Sequence, residues 1–293
     1  MAQQKIQLRK LRDFGENFSD TFQFIRQEFK PLLTTFSLVA GIFILINAIL
    51  TGIFQKSAFG FLDQFQKGIL TKEPDFSSII SPMYFVTIGF MLVTITAMRT
   101  VIAVYMKYYD EHNESPTVTA VWTGFIKYFF KAFIFSFPQY LLIAVGFVFC
   151  LFPGFYFMIV FAPFLFVIVN EDLSFSESFS RCFDLIKENF WISLAIYLIA
   201  YIIFSISSSI VGFALGLLFG AGSYFTTKEW STTAGIFMSI VNIVQYLFYI
   251  IFFVSVGLNY YNLVEAKDGT GLAKRLENLG GNINPNTNIE EQY

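Results

Sequence analysis

Six long apolar runs dominate the sequence and decide what the chain can fold into. They cover residues 32–54, 82–106, 132–152, 155–169, 190–220 and 233–261, and Arg99 is the one charged residue inside them. A run of about 20 apolar residues matches the hydrocarbon thickness of a bilayer. Helices are expected because a membrane offers no partners for open backbone groups, and the runs lack the alternation of barrel strands. We therefore predict an all-α, polytopic transmembrane helix bundle with about six spans, although the short fourth run could dip into the bilayer rather than cross it.

The composition agrees with a membrane protein and argues against several other classes. Hydrophobic residues make up 55% of the chain and charged residues 14%, against roughly 25% charged residues in soluble domains. With one histidine, two cysteines and a net charge of −2, we expect no metal, no cofactor and no nucleic acid partner. No catalytic or nucleotide-binding motif occurs, so we expect the protein not to be an enzyme. Cys150 is expected toward the outer face and Cys182 on a cytoplasmic helix, too far apart for a disulfide.

The distribution of Lys and Arg predicts the orientation. Fifteen of these residues fall on the side of the N-terminal segment and four on the opposite side. Because positively charged loops remain cytoplasmic, both termini are predicted to face the cytoplasm. The expected organisation is a cytoplasmic amphipathic N-terminal segment (1–30), a six-span membrane domain (31–263) and a cytoplasmic tail (264–293). We also expect interfacial helices in the outer loop, 55–81, and in the tail around residues 272–279.

Three segments, each of which precedes a pair of spans, have the same spacing of apolar residues. In residues 18–29, 118–129 and 179–190, apolar side chains recur at i, i+4, i+7 and i+11, which is typical of an amphipathic helix. Asp13 with Glu16 and Ser174 with Glu177 have capping-box spacing, and Ser115-Pro116 offers another helix start. We predict three interfacial helices, and a unit of one such helix plus two spans used three times. The alternative is that amphipathic helices commonly precede spans and share Phe in a Phe-rich chain.

One region resembles a known group of proteins. It contains PFLFVIVNEDLS at 163–174, ESFSRC at 177–182 and KENFW at 187–191. Over residues 115–261 the chain resembles bacterial six-span membrane proteins, among them the membrane domain of glycerophosphoryl diester phosphodiesterases and uncharacterised relatives. The resemblance implies this architecture and a bacterial inner membrane. The phosphodiesterase barrel with its metal-binding residues is absent, so that activity is not implied.

Several polar side chains inside the spans are candidates for a site. On the sixth span, Asn242, Gln245, Tyr246 and Tyr249 share one face. Residues of other spans could meet it: Asn47, Thr94, Thr96 and Gln139, with Arg99 as a further candidate. This face either lines a polar cavity for a headgroup or small solute, or only makes hydrogen bonds between helices. Arg99 either extends its side chain to the interface or has an internal partner such as Glu171 or Asp172.

A second pattern points to helix packing. Small residues recur every fourth position in the fifth span, at Ser208, Gly212, Gly216 and Gly220. Such a ridge permits close contact with a helix of the same chain or of another protein. The preferred hypothesis is a non-enzymatic accessory or scaffold subunit of a larger membrane complex, with membrane lipids and other membrane subunits as partners. The alternative is a transporter or lipid-handling protein that uses the polar face of the last span.

Overall fold

The protein is helical throughout the part that can be described. The computed structural model describes residues 5–66, 82–226 and 230–269, and the side chains of 5–55, 82–217 and 236–269. Within these ranges no strand occurs. The helices are α1 (Phe14–Gln27), α2 (Phe29–Val39), α3 (Gly41–Gln66), α4 (Pro82–His112), α5 (Val118–Phe149), α6 (Leu151–Val160), α7 (Phe164–Glu171), α8 (Phe175–Ile186), α9 (Phe190–Thr226) and α10 (Trp230–Asp268).

The predicted bundle of about six spans is confirmed. Over the described residues, five helical segments are long and apolar enough to cross a membrane, and a bent pair of helices raises the number to six. The bent pair is α2 with the first part of α3, and the two meet at 59°. The first apolar run is therefore a broken helix, with the bend beside Ala40 and Gly41. The chain is an integral, multi-pass membrane protein.

The short fourth run lies within a helical segment that is long enough to cross the bilayer but is interrupted. The candidate span Leu151–Glu171 has 21 residues, a length of about 31 Å against a hydrocarbon core of about 30 Å. The interruption lies between α6 and α7, at residues 161–163. Pro163 has no backbone N–H and cannot continue the hydrogen-bond pattern of α6. Carbonyl oxygens are consequently left for other partners in the middle of a span.

The predicted interfacial helices appear in two different forms. α1 and α8 are separate helices, and both have the predicted capping box, at Asp13 and Ser174. The middle segment is instead the beginning of α5, which continues unbroken into its span. Its N-cap is Thr117, which accepts a hydrogen bond from the backbone N–H of Ala120, so the predicted start at Ser115-Pro116 was wrong by two residues.

α1 packs on the bundle with its more polar side. Asn17, Thr21 and Phe24 are fully buried, whereas Phe22 and Phe29 are 45% and 55% exposed. Within the predicted apolar stripe, Phe18 and Ile25 pack against the core, whereas Phe22, and Phe29 at the start of α2, face outward. These two outward side chains are stable when the outward side is lipid.

The core lies at one end of the bundle, which we call the α1 end. All side chains are buried at residues 96–106 of α4, 164–169 of α7 and 253–261 of α10. The N-terminal segment, α8 and the end of α10 pack around them. α10 continues to Asp268, past the expected start of the tail at residue 264. The expected tail helix (272–279) and residues 67–81 of the outer loop lie outside the described residues.

Candidate functional site

Arg99 is bound to the carbonyl groups that the break between α6 and α7 exposes. Its side chain is 7% exposed, and Nη2 donates to the oxygen of Ala162 at 2.8 Å and of Phe161 at 3.3 Å. The charge lies at membrane depth and is stabilised by carbonyl dipoles, a recognised solution for such groups. Arg99 is therefore neither extended to the interface nor paired with a carboxylate.

Gln139 contacts the same break from the other side. Nε2 of Gln139 donates to the Phe161 oxygen at 3.3 Å. Its Oε1 atom and the hydroxyl of Ser136, one turn away, are buried without a hydrogen-bond partner. α4 and α5 thus both satisfy the interrupted backbone, and this is where two of the predicted cavity residues meet.

The predicted acidic partners of Arg99 bind other cations. Glu171 accepts from Nε of Arg181 at 2.9 Å, and Asp172 accepts from Nζ of Lys131 at 2.6 Å. The Lys131 hydrogen bond, opposed by slight burial, holds the pKa of Asp172 below its usual value. Of the two alternatives for Arg99, the one with an internal partner holds, but that partner is neither Glu171 nor Asp172.

The other predicted cavity residues lie elsewhere. Asn47 of α3 accepts a hydrogen bond from the Tyr246 hydroxyl of α10 at 2.6 Å. Nδ2 of Asn242 donates to the Met238 oxygen of its own helix at 2.8 Å, and Gln245 is half-buried. The five residues therefore do not converge on one cavity. Arg99 and Gln139 form one contact and Asn47 forms another.

The small-residue ridge of α9 packs against α10 of the same chain. A Cβ atom added at Gly212 would lie 3.4 Å from Val241 Cγ1, and one at Gly216 would lie 3.5 Å from Phe237 Cζ. Ser208 is 4% exposed. The partner helix is internal at these positions. Gly220 also lies in α9, but beyond the residues whose side-chain surroundings are described.

An ion-pair network at the α1 end joins segments that are distant in sequence. Arg9 pairs with Asp110 of α4 at 2.8 Å. Arg181 of α8 pairs with Glu171 of α7 and with Asp268 of α10. Burial acts to lower the pKa of Arg181, but hydrogen bonds and charges from these two carboxylates outweigh it and raise the pKa.

Two tyrosines of α10 extend this network into the core. The Tyr260 hydroxyl donates to Glu171 at 3.0 Å, and the Tyr261 hydroxyl donates to Asn170 at 2.8 Å. Arg9 also lies over the Tyr261 ring, 5.7 Å from its centroid. Sequence reasoning missed these contacts because the partners are far apart in the chain.

The N-terminal segment is held by a buried arginine. Arg12 is 7% exposed, pairs with Asp20 at 2.8 Å and donates to the Leu8 oxygen at 2.6 Å. Its backbone N–H donates to Asn262 of α10 at 2.8 Å. Burial lowers the pKa of Arg12, and Asp20 acts in the opposite direction.

A buried carboxylate that the sequence did not reveal lies between α1 and α2. Glu28 is 5% exposed and accepts a hydrogen bond from the Tyr105 hydroxyl of α4 at 2.6 Å. Near it, Phe24 packs edge-on against the Tyr109 ring. Its neighbours in the chain include Arg26, Gln27 and Lys30, so nothing in the local sequence indicated that Glu28 is buried.

Among the described residues, two apolar grooves open on the outer surface of the bundle. The α2 groove, about 410 Å³, lies between α1–α2, α9 and α10, and includes Ile25, Phe29 and Leu33. The α9 groove, about 420 Å³, lies between α6, α9 and α10, and includes Leu194, Tyr197 and Leu198. Neither of these grooves includes Asn242 or Gln245 in its lining.

Metal-site geometry and the comparisons with known proteins give no further identification. Among the described residues, no group of three His, Cys, Asp or Glu side chains could hold a metal ion. No family model, curated protein or solved structure matches the chain. What remains of the resemblance to bacterial six-span proteins is the general architecture of a multi-span helical membrane protein.

Proposed function

We propose that this chain is a non-enzymatic scaffold, an accessory subunit of a larger membrane complex. The observation that carries the proposal is the use of its buried polar side chains. Arg99 and Gln139 each donate to the break between α6 and α7, and Asn47 accepts from α10. In a transport or catalytic site, the charged Arg99 would instead face a substrate path.

The ion-pair network supports the same function. It fixes the N-terminal segment, α4, α7, α8 and α10 to one another through Arg9 and Arg181. A rigid end of this kind is suited to holding a partner in a fixed position. In this proposal both termini face the cytoplasm of a bacterial inner membrane, because the basic residues are concentrated at the α1 end.

Large apolar side chains are available for a membrane partner. On α5, Phe130 and Phe137 are 68% and 64% exposed, and on α9 Ile206 is 56% exposed. Lipid or another subunit can cover either face. Aromatic side chains are enriched at the centres of protein interfaces.

Site-specific photocrosslinking in native membranes tests the proposal. A photoreactive residue is placed at Phe137 on α5 or at Ile206 on α9, and adducts are identified by mass. We expect at least one position to give a discrete protein adduct that co-purifies in mild detergent. If both positions give lipid adducts alone and the protein runs as a single chain, the scaffold hypothesis is wrong.

The polar-face alternative can be tested separately. If Asn242 and Gln245 served transport or lipid handling, replacing both with Ala would abolish that activity while leaving the amount of folded protein unchanged. The scaffold hypothesis instead expects these variants to retain any crosslinked partner. Loss of folded protein would show that the two residues are structural.

A further inference from the structure

The two apolar grooves share one lining position when two of the predicted units are aligned. The apolar spacing that aligns residues 18–29 with 179–190 pairs Ile25 with Ile186 and Phe29 with Phe190. Continued by one turn, the alignment pairs Leu33 with Leu194. Leu33 lines the α2 groove and Leu194 lines the α9 groove. The same position after each interfacial helix therefore borders a groove.

A cation occupies the same chain position, seven residues before the groove-lining leucine, in each of the two units. The alignment pairs Arg26 with Lys187, and both are exposed. At the α2 groove a second exposed cation, Lys30, directly follows the groove residue Phe29. Among the described residues, none of these three side chains forms an ion pair.

We propose that each groove holds an acyl chain of an anionic phospholipid whose phosphate contacts the cations at the rim. Arg26 and Lys30 bind the phosphate at the α2 groove, and Lys187 binds it at the α9 groove. The inference goes beyond the scaffold function and does not depend on it.

The chemistry of the grooves fits this occupant. Their linings are apolar and belong largely to helices that can span the membrane, so an acyl chain is the neighbour that the bilayer supplies. A basic residue near an anionic lipid surface contributes about 1 kcal/mol. Trp191 is 77% exposed and lies between Lys187 and Leu194 in the chain, and indole rings are enriched at the level of the headgroups.

The two sites are expected to differ in strength. Lys187 has exposed acidic neighbours, Asp184 and Glu188, which weaken its attraction for a phosphate. The α2 groove has two cations and is the stronger site. In the middle unit the position of Arg26 is taken by Ile126, which is 50% exposed, so this unit offers no equivalent cation and the expected number of sites is two.

Native mass spectrometry of the purified full chain tests the proposal. The protein in mild detergent is titrated with phosphatidylglycerol or with phosphatidylcholine of identical acyl chains. We expect two tightly bound phosphatidylglycerol molecules and much weaker phosphatidylcholine binding. Arg26→Gln with Lys30→Gln should weaken one site about thirty-fold, and Lys187→Gln the other about five-fold.

Matched variants test whether lipid binding depends on these particular cations rather than on the overall charge, and whether it depends on an open groove. Lys127→Gln removes an exposed cation from α5, a helix that contributes no side chain to either groove lining, and should change nothing. Leu33→Trp should fill the α2 groove and reduce binding, whereas Leu38→Trp, at a 64% exposed position outside it, should not. The proposal would be overturned if the two lipids bound equally well. It would also be overturned if Lys127→Gln weakened binding as much as the Arg26/Lys30 double variant, or if the two Trp variants had equal effects.

Discussion

Arg99 of α4 donates a hydrogen bond to the carbonyl oxygen of Ala162, 2.8 Å away, at the interruption between α6 and α7. Each residue supplies the hydrogen-bond partner that the other lacks. The guanidinium needs acceptors at membrane depth, and the broken helix needs donors. The contact therefore explains both the buried charge and the tolerance of Pro163 within a span.

Removing the Arg99 side chain should destabilise the protein. Arg99→Ala leaves the carbonyl groups of Phe161 and Ala162 without this donor, and charge-assisted hydrogen bonds contribute about 1.5–3 kcal/mol each. We expect a lower free energy of unfolding by about 2 kcal/mol, measured as a fall in the thermal midpoint in a fixed detergent. Arg99→Lys should recover part of this loss because it keeps one donor and the charge.

The control for this series is the exposed Arg26. Arg26→Ala removes the same side chain from a position that makes no ion pair among the described residues, and should leave the thermal midpoint nearly unchanged. If Arg99→Ala and Arg26→Ala are equally stable, the contact with the broken helix contributes nothing to stability.

The sequence predicted the architecture well because apolar length and apolar spacing are local properties. The spans and the capping boxes of α1 and α8 follow from stretches of about 20 residues or fewer. The bend beside Ala40 and the continuous α5 depend on how neighbouring helices pack. Nothing in the local sequence of 29–55 or 118–149 specifies them.

Gly257 of α10 should accept a side chain poorly. A Cβ atom there would lie 2.5 Å from Met106 Sδ and 2.7 Å from Phe166 Cε1, and both neighbours are fully buried. Overpacking a core of this kind costs about 1–3 kcal/mol. We expect Gly257→Ala to lower the thermal midpoint clearly.

Gly216→Ala is the matched variant on the predicted ridge. Its added Cβ would make an ordinary contact of 3.5 Å with Phe237, and Ala favours a helix over Gly by about 1 kcal/mol. This variant should be as stable as the unaltered protein or slightly more so. A greater loss at Gly216 than at Gly257 would contradict the packing described here.

The candidate site shows where prediction from the sequence ends. Ionisable and amide residues in apolar runs were correctly singled out as unusual, and Arg99 does have an internal partner. The sequence could not show that this partner is a backbone carbonyl, because the break at residues 161–163 lies on a different helix. The pairing of Arg9 with Asp110 was invisible for the same reason.

Arg9 should determine how firmly the N-terminal segment is held. Arg9→Ala removes the ion pair with Asp110 and the contact with the Tyr261 ring. Because both charged side chains are partly exposed, we expect a loss of about 1 kcal/mol or less. Hydrogen–deuterium exchange should become faster in residues 5–13 and stay unchanged in the middle of α4.

Lys10→Ala is the control for Arg9, since Lys10 pairs with Glu16 within the same segment. It should leave the exchange of residues 5–9 unchanged. Raising the salt concentration should reproduce part of the Arg9→Ala effect, because screening weakens exposed ion pairs. Faster exchange in Lys10→Ala equal to that in Arg9→Ala would argue against a specific role for Asp110.

The two cysteines should differ in reactivity and should report the orientation of the chain. Cys150, between α5 and α6, is exposed, and Cys182 of α8 is buried. Burial raises the pKa of the Cys182 thiol, so little reactive thiolate is present near neutral pH. A membrane-impermeant maleimide added to intact cells should label Cys150, whereas Cys182 should react after denaturation.

The Cys150→Ser and Cys182→Ser variants assign each signal to its residue. The predicted cytoplasmic termini place the α5–α6 connection, and with it Cys150, on the outer face. If Cys150 reacts in inverted vesicles but not in intact cells, the orientation is the reverse of the one predicted from Lys and Arg. If Cys182 reacts in the folded protein as fast as Cys150, α8 is not packed against the bundle as described. The contacts of Arg181 with Glu171 and Asp268 would then have to be transient.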